Sequence, residues 1–219
     1  LGVWSDSEAS LVYEISHHGE PITSIEFSPD NTLILVASGA MAYVWSVDSG
    51  ELINTFDSHQ MLYMSSFDGT GQRLVTAGSD GDVVIWDTVS GGRLFQQNLR
   101  TDVIYAAFNH DDSLLVTADW RGAATVWDIK DNVGNILHKF EHGVRVEQAH
   151  FDPSGSYLVT AAWDKSAAIW SLETGRRLFT FNHEHKVREA IFSPNGQLVL
   201  TVSESQAMVW SAFTGEKLA

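Results

Sequence analysis

The stretch that decides the fold is Arg73–Asp87, RLVTAGSDGDVVIWD, because the chain contains it in several versions. Leu114–Asp128 reads LLVTADWRGAATVWD and Tyr157–Ser171 reads YLVTAAWDKSAAIWS. Each version consists of a short apolar run rich in β-branched residues, a polar turn, and a second apolar run that ends in Trp. Such a pattern is typical of a β-hairpin. The period of such an internal repeat indicates the architecture of the whole chain.

Six tryptophans, at positions 4, 45, 86, 127, 170 and 210, follow one another at spacings of 41, 41, 41, 43 and 40 residues. A phenylalanine precedes five of them by 18 or 19 residues and is followed by a turn of Pro, Asp, Asn, Ser or Gly residues. A further strand-like stretch, such as LINTF or RLFTF, comes after the Trp. No segment shows a useful 3.6-residue period, so we predict four strands per unit and no helix.

Four short strands form one antiparallel sheet, and successive sheets must stack to bury their apolar faces, which favours a propeller. These residues resemble the WD-repeat β-propeller family over nearly the whole chain. The resemblance implies an all-β fold of four-stranded antiparallel blades. We expect one domain over 1–219, part of a six- to eight-bladed ring whose remainder flanks both ends. It divides into a partial blade over 1–16 and five repeats over approximately 17–56, 57–97, 98–140, 141–181 and 182–219.

The resemblance also implies a hydrogen-bonded relay of His, Thr, Asp and Trp in each blade. The best match is His142, Thr160, Asp164 and Trp170, and a second set has its histidine, His59, one residue out of register. Other repeats lack members of the relay. Because the set recurs once per repeat, we interpret it as structural and predict neither an enzyme nor a cofactor site. The second set consists of His59, Thr76, Asp80 and Trp86. In other repeats the acid position is occupied by Arg121, Glu204 or Gly39, and in the first repeat Val36 occupies the hydroxyl position.

Two histidine pairs, His17-His18 and His183-Glu184-His185, could each present two ligands on one face of a strand. No third ligand lies at a diagnostic spacing, and the chain has no cysteine. We therefore predict no metal site.

The charge balance is 13 basic against 28 acidic residues, a formal charge of −15. An acidic surface repels phosphate backbones and anionic lipid, so we expect neither nucleic acid nor membrane as a partner. No apolar run is long enough for a transmembrane helix, and the first residues do not resemble a signal peptide. We expect a cytoplasmic protein.

In the family, partner-contact positions on the top face lie four and six residues before the repeat Phe and seven before the repeat Trp. Transferred by register, these positions predict a partner-binding set in the second to fifth repeats, and the first repeat contributes Pro21, Thr23 and Ser38. Ser79 and Ser203 occupy the position seven residues before the Trp in the second and fifth repeats. The predicted partner-binding residues are Met61, Tyr63, Asp102, Ile104, Trp120, Arg145, Glu147, Trp163, Lys186 and Arg188.

The composition of this set indicates binding. Trp120 and Trp163 are the two tryptophans outside the period, and Trp, Tyr and Arg dominate protein–protein hot spots. We predict a non-catalytic scaffold that binds a protein or peptide partner by aromatic anchors. Its cations Arg145, Lys186 and Arg188 would draw acidic or phosphorylated groups.

Three alternatives stay open. The two tryptophans could instead seal the channel mouth. The chain could be the sensor or autoinhibitory propeller of a larger signalling protein. A small-ligand or enzymatic propeller would have only Asp102 and Glu147 as carboxylates at the mouth.

Overall fold

The computed structural model describes residues 2–4, 11–14, 20–131 and 134–219. Within these ranges the backbone forms 21 β-strands joined by turns, with no helix. The predicted all-β class and the absence of helices are confirmed for the described part of the chain. None of the described residues belongs to a helix with the length and hydropathy of a membrane span.

The strands form antiparallel meanders in which neighbours in sequence are neighbours in the sheet. The first sheet contains β3 (Ile22–Phe27), β4 (Leu33–Ser38), β5 (Met41–Ser46) and β6 (Leu52–Asp57). The second contains β7 (Leu62–Phe67), β8 (Arg73–Gly78), β9 (Asp82–Asp87) and β10 (Arg93–Asn98). The third contains β11 (Val103–Phe108), β12 (Leu114–Asp119), β13 (Ala123–Asp128) and β14 (Asn135–Glu141).

The fourth sheet contains β15 (Val146–Phe151), β16 (Tyr157–Ala162), β17 (Ser166–Ser171) and β18 (Arg177–Asn182). The fifth contains β19 (Val187–Phe192), β20 (Leu198–Ser203) and β21 (Ala207–Ser211), and a single bridge joins Trp210 to Lys217. Near the N-terminus, β1 (Gly2–Trp4) pairs with β2 (Leu11–Glu14).

The second strand of each of the first four sheets is buried on both faces, which explains its continuous apolar sequence, whereas in β20 only alternate residues are buried. In β8, for example, Leu74 belongs to the apolar cluster shared with the first sheet. Its neighbour Val75 belongs to the cluster shared with the third sheet, and both side chains have no exposed surface. The sheets therefore stack face to face, and the second sheet buries its apolar residues against the sheets on either side.

The period tryptophans are part of this stacking. A phenylalanine from the last strand of one sheet contacts the Trp of the next sheet, with ring centroids 4.6–6.2 Å apart. Because these are large side chains, each pair buries much apolar area between neighbouring repeats. The pairs are Phe56–Trp86, Phe95–Trp127, Phe140–Trp170 and Phe181–Trp210.

Glycines in the turns before the fourth strands allow the sheets to approach closely. Gly134 has a φ of +69°, and a Cβ atom there would overlap the ring of Phe95 in the preceding sheet. Gly175 repeats the arrangement, since a Cβ would lie 2.9 Å from Nδ1 of His138. Glycine is required at these turns both for the backbone conformation and for the contact.

Candidate partner-binding face

The first strand of each of the five sheets just described contains a β-bulge one residue after its start. In β7, for instance, Leu62 pairs with Gly78 and Met64 pairs with Ala77, so Tyr63 has no partner in the ladder. A bulge of this kind redirects the side chain of the skipped residue. The skipped residues of the five strands are Thr23, Tyr63, Ile104, Glu147 and Arg188.

These five residues line one cavity of about 430 Å³. Each of them lies four residues before the repeat Phe. Residues that are equivalent in the sequence repeats therefore surround the same cavity. The cavity therefore lies where the first strands of all five sheets converge, as in the central channel of a propeller. Its remaining lining residues are Ser24, Met64, Tyr105, Gln148 and Glu189.

Tyr63 and Asp102 connect the second and third sheets at the mouth of this cavity. The Tyr63 hydroxyl donates to Oδ2 of Asp102 at 3.0 Å. Burial, and then the hydrogen bond to this carboxylate, raise the pKa of Tyr63 above its ordinary value. The phenol is therefore protonated at neutral pH and acts as the donor.

Trp120 and Trp163 lie together at the edge of the same face, with ring centroids 5.7 Å apart. The guanidinium of Arg145 lies over both rings, 4.4 Å from the centre of the Trp120 ring and 4.6 Å from that of Trp163. Nζ of Lys186 lies 3.6 Å from the centre of the Trp163 ring. Lys186, Trp163, Arg145 and Trp120 thus alternate cation and aromatic ring, and we call them the cation–aromatic ladder.

Glu147 holds this ladder in place. Its carboxylate accepts the indole N–H of Trp163 at 2.8 Å and a hydrogen bond from Arg145 at 3.0 Å. Nε of Arg145 lies 2.7 Å from the same carboxylate, and the Arg145 side chain is only 19% exposed. The charge of Arg145 is therefore neutralised within the chain, whereas Trp120 retains 48% of its surface exposed.

The other predicted residues lie at different distances from the ladder. Arg188 is 63% exposed on its side chain and lies 3.6 Å from Glu204, so its ion pair is loose. Lys186 is exposed beside Trp163. Met61, which is 43% exposed, lines a separate cavity of about 480 Å³ that Tyr63 does not border. The structure thus joins the third to fifth repeats at the ladder and leaves Met61 apart from it.

The repeated sheets agree with a family comparison. The family model for the WD domain, G-beta repeat, matches residues 9–46, 50–87, 134–171 and 175–211, which is more than half of the chain. The chain belongs to the WD-repeat family. The stretch 88–133 between the matches contains the repeat in which Arg121 occupies the acid position.

Several known proteins are similar to part of this chain. The chain is 31% identical over 86 residues to the Denticleless protein homolog of Danio rerio, covering 38% of this chain and 13% of that protein. It is 32% identical over 94 residues to the WD repeat-containing protein WDS homolog of Arabidopsis thaliana, covering 39% and 18%. It is 30% identical over 92 residues to the human Angio-associated migratory cell protein, covering 41% and 20%. The matches span less than a third of these relatives, and they support a protein-interaction scaffold in general terms.

The WD-repeat relay is complete in the fourth sheet. The indole N–H of Trp170 donates to Oγ1 of Thr160 at 2.8 Å. The same hydroxyl lies 2.8 Å from Nε2 of His142, and Nδ1 of His142 lies 2.8 Å from the carboxylate of Asp164. An indole can only donate and a carboxylate can only accept, so Trp170 donates to the hydroxyl and Nδ1–H of His142 donates to Asp164. In the neutral imidazole with that tautomer, Nε2 accepts the hydrogen of the Thr160 hydroxyl. This relay fixes the loop that carries Arg145.

The other repeats depart from the relay where their sequences do. The prediction that His59 belongs to the second relay set is wrong: His59 is exposed, has a φ of +64° and lies 3.2 Å from Asp57. The indole nitrogen of Trp45 has no hydrogen-bond partner among the described residues, because Val36 replaces the hydroxyl. In the fifth sheet His183 bonds Thr201 at 2.9 Å, but Glu204 faces Arg188 instead.

The histidines that a hydrolase or metal interpretation would use have structural contacts. His142 and His183 are both engaged by relay hydroxyls. Over the described ranges, no three His, Asp or Glu side chains converge as a metal site requires. His17 and His18 lie outside the described residues.

The structure also contains an apolar trough that the sequence pattern does not predict. A cavity of about 660 Å³ lies between the fourth and fifth sheets, on the side of the turns, and is bordered by Tyr157, Leu178 and Phe213. The sequence signal is small: Ala212 stands where the fourth repeat has Leu172, and Phe213 is the aromatic residue of its turn. Phe213 is 69% exposed.

Proposed function

We propose that this chain is a non-catalytic WD-repeat scaffold whose top face binds a peptide or loop of a protein partner. The top face comprises the loops that lead into the first strands and the hairpins between the second and third strands. The observation that carries the proposal is the cation–aromatic ladder, which presents a half-exposed Trp120 in a fixed orientation.

A rigid aromatic side chain at a surface has no core to fill, so its exposure calls for a partner. Trp120 is held on one side by Arg145 and by the edge of Trp163, so binding would cost little side-chain entropy. The adjoining cavity adds Tyr63 and Ile104 as further contacts. This arrangement supports an aromatic hot spot with a polar rim.

We further propose that the partner is acidic or phosphorylated at this face. Lys186 and Arg188 are exposed and project from the start of β19. Arg145 contributes indirectly, because Glu147 already neutralises it. The electrostatic attraction would therefore come from the exposed cations, while Arg145 orients the rings.

The test compares Trp120→Ala and Trp163→Ala with Phe213→Ala, a matched exposed aromatic in the turn beside the apolar trough. Affinity capture from the source lysate identifies proteins retained by the wild-type chain, and their dissociation constants are then measured for each variant. Trp120→Ala and Trp163→Ala should each weaken the binding free energy of the partner by about 2 kcal/mol or more. Phe213→Ala should leave the binding free energy unchanged. If both ladder variants fold and bind like the wild type, the proposed face is wrong.

A further inference from the structure

Four exposed cations on the top face have no carboxylate within 4.0 Å among the described residues. Arg145 and Arg188, in contrast, each face a carboxylate. The four are Arg100, Arg121, Lys165 and Lys186. Only Lys186 belongs to the positions that the family register selects, so the other three come from the structure.

The acidic side chains of the same loops are mostly engaged by the chain itself. Asp102 accepts the Tyr63 hydroxyl, and Glu147 accepts Trp163 and Arg145. Asp164 accepts His142 at 2.8 Å and the Ser166 hydroxyl at 2.7 Å.

Asp119 is buried and accepts the backbone N–H groups of Gly122 and Ala123. Glu20, Glu184 and Glu204 are exposed acidic residues of the described top-face loops, and Glu204 lies 3.6 Å from Arg188. In the third and fourth repeats the four acids named above are engaged within the chain, so positive charge is available around Trp120 and Trp163, although the chain as a whole carries −15.

Backbone contacts place these cations around the ladder. Arg121 directly follows Trp120, and Lys186 lies against Trp163. Lys165 belongs to the same hairpin as Trp163, and its carbonyl accepts the N–H of His183 at 2.9 Å. Arg100 has a φ of +57° and begins the loop whose Asp102 carbonyl accepts the N–H of Trp120.

We propose that Arg100, Arg121, Lys165 and Lys186, the basic arc, bind acidic side chains of a peptide whose apolar group rests on Trp120. This rests on the proposed function and assigns the charges that flank its aromatic anchor. Each exposed pair is weak, so the arc acts as a set and its effect declines with salt. A short acidic segment can contact the arc alone, whereas a membrane or a long polyanion would also meet the many acids elsewhere.

The test uses two fluorescent peptides with a central Phe, flanked by glutamates in one and by glutamines in the other. The arc variant is Arg100→Gln, Arg121→Gln and Lys165→Gln. Its control is Lys130→Gln, Arg176→Gln and Lys217→Gln, which removes the same charge from exposed positions outside the arc. Lys186 is kept because it is part of the cation–aromatic ladder, in contact with Trp163.

At low salt the glutamate peptide should bind the wild type and the control alike, and the arc variant about tenfold more weakly. The glutamine peptide should bind all three chains with the same affinity, which should be lower than that of the glutamate peptide for the wild type. Trp120→Ala should weaken the binding of both peptides. A phosphoserine version of the acidic peptide distinguishes phosphate from carboxylate as the source of charge.

Equal binding of the two peptides to the wild type, with both sensitive to Trp120→Ala, would refute the arc and leave the aromatic site standing. Equal losses in the arc and control variants would also refute it. If neither peptide binds, both proposals fail. Tighter, arc-dependent binding of duplex DNA or phosphatidylserine vesicles would overturn the peptide assignment.

Discussion

The indole N–H of Trp163 donates to the carboxylate of Glu147, two residues along the chain from the Arg145 that the same carboxylate neutralises. One acidic side chain thus orients a ring and compensates the cation stacked on that ring. Because the three groups lie at a surface where water can enter, the carboxylate is needed to keep a single arrangement. Glu147 is therefore a positioning residue of the ladder.

We expect Glu147→Ala to lower the free energy of unfolding by about 1–3 kcal/mol, since it leaves a partly buried guanidinium and an indole N–H without an acceptor. The near-ultraviolet circular dichroism should also change, because the Trp120–Trp163 pair loses its fixed geometry. Chemical denaturation and the spectrum check both effects. Glu173→Ala, an exposed turn glutamate, is the control. Identical behaviour of the two variants would contradict the role of Glu147.

Val36→Thr should stabilise the chain by about 1 kcal/mol, because it supplies an acceptor for the buried indole nitrogen of Trp45, which has none among the described residues. The fifth repeat shows that the geometry is suitable: Thr201 and Trp210 have the same spacing of nine residues, and their hydrogen bond is 2.8 Å long. Val and Thr have similar shapes, so little repacking is needed. Thermal and chemical unfolding measure the gain.

Val75→Thr is the matched control for this substitution. Val75 is fully buried in the apolar cluster between the second and third sheets. The added hydroxyl would have no acceptor there, so the change should destabilise the chain by about 1–3 kcal/mol. A gain at both positions would show that the Trp45 nitrogen is not the cause.

Much of the fold could be predicted from the sequence, because every repeat contains the same pattern of strands and turns. The spacing of the tryptophans and the β-branched runs predict the strands, and the relay of His142, Thr160 and Trp170 follows from the family resemblance. The register also selected Tyr63 and Glu147 as equivalent positions. These features depend on local patterns that recur, so errors in one repeat are corrected by the others.

Other features arise only in three dimensions. The bulge that turns Tyr63 toward the cavity leaves no mark in composition. The neutralisation of Arg145 by Glu147 depends on side-chain packing, and the sequence gives only two oppositely charged residues at neighbouring positions. His59 could not be placed correctly, because a one-residue change in loop length was enough to turn it to solvent.

Stability should decrease as the pH falls from about 6.5 to about 4 because of His150. Burial lowers the pKa of His150 to about 4, while in the unfolded chain it is near its ordinary value of about 6.5. The unfolded state therefore takes up the proton first, and the loss through this group reaches about 3 kcal/mol. The measurement is the free energy of unfolding as a function of pH.

His150→Phe isolates this effect. It removes the titrating group, although the Tyr105 hydroxyl, 3.0 Å from Nδ1, also loses its partner. That second loss does not vary with pH in this range, so only the slope is compared. Carboxylates with a lowered pKa, such as Asp164, are present in both chains and cancel. Parallel pH curves for the two chains would show that His150 does not titrate as its burial requires.

Gly134→Ala should destabilise the chain by about 1–3 kcal/mol more than Gly143→Ala. Both glycines have a positive φ, +69° and +78°, so both substitutions incur the backbone cost of about 1 kcal/mol. They differ in their surroundings: a Cβ at Gly143 meets nothing within 4 Å, whereas at Gly134 it overlaps the ring of Phe95. Because Phe95 is buried against Trp127, it cannot move aside without opening the contact between the second and third sheets. The difference between the two unfolding free energies thus measures how tightly one repeat is packed on the next, and equal values would mean that the turn can lift away from the sheet.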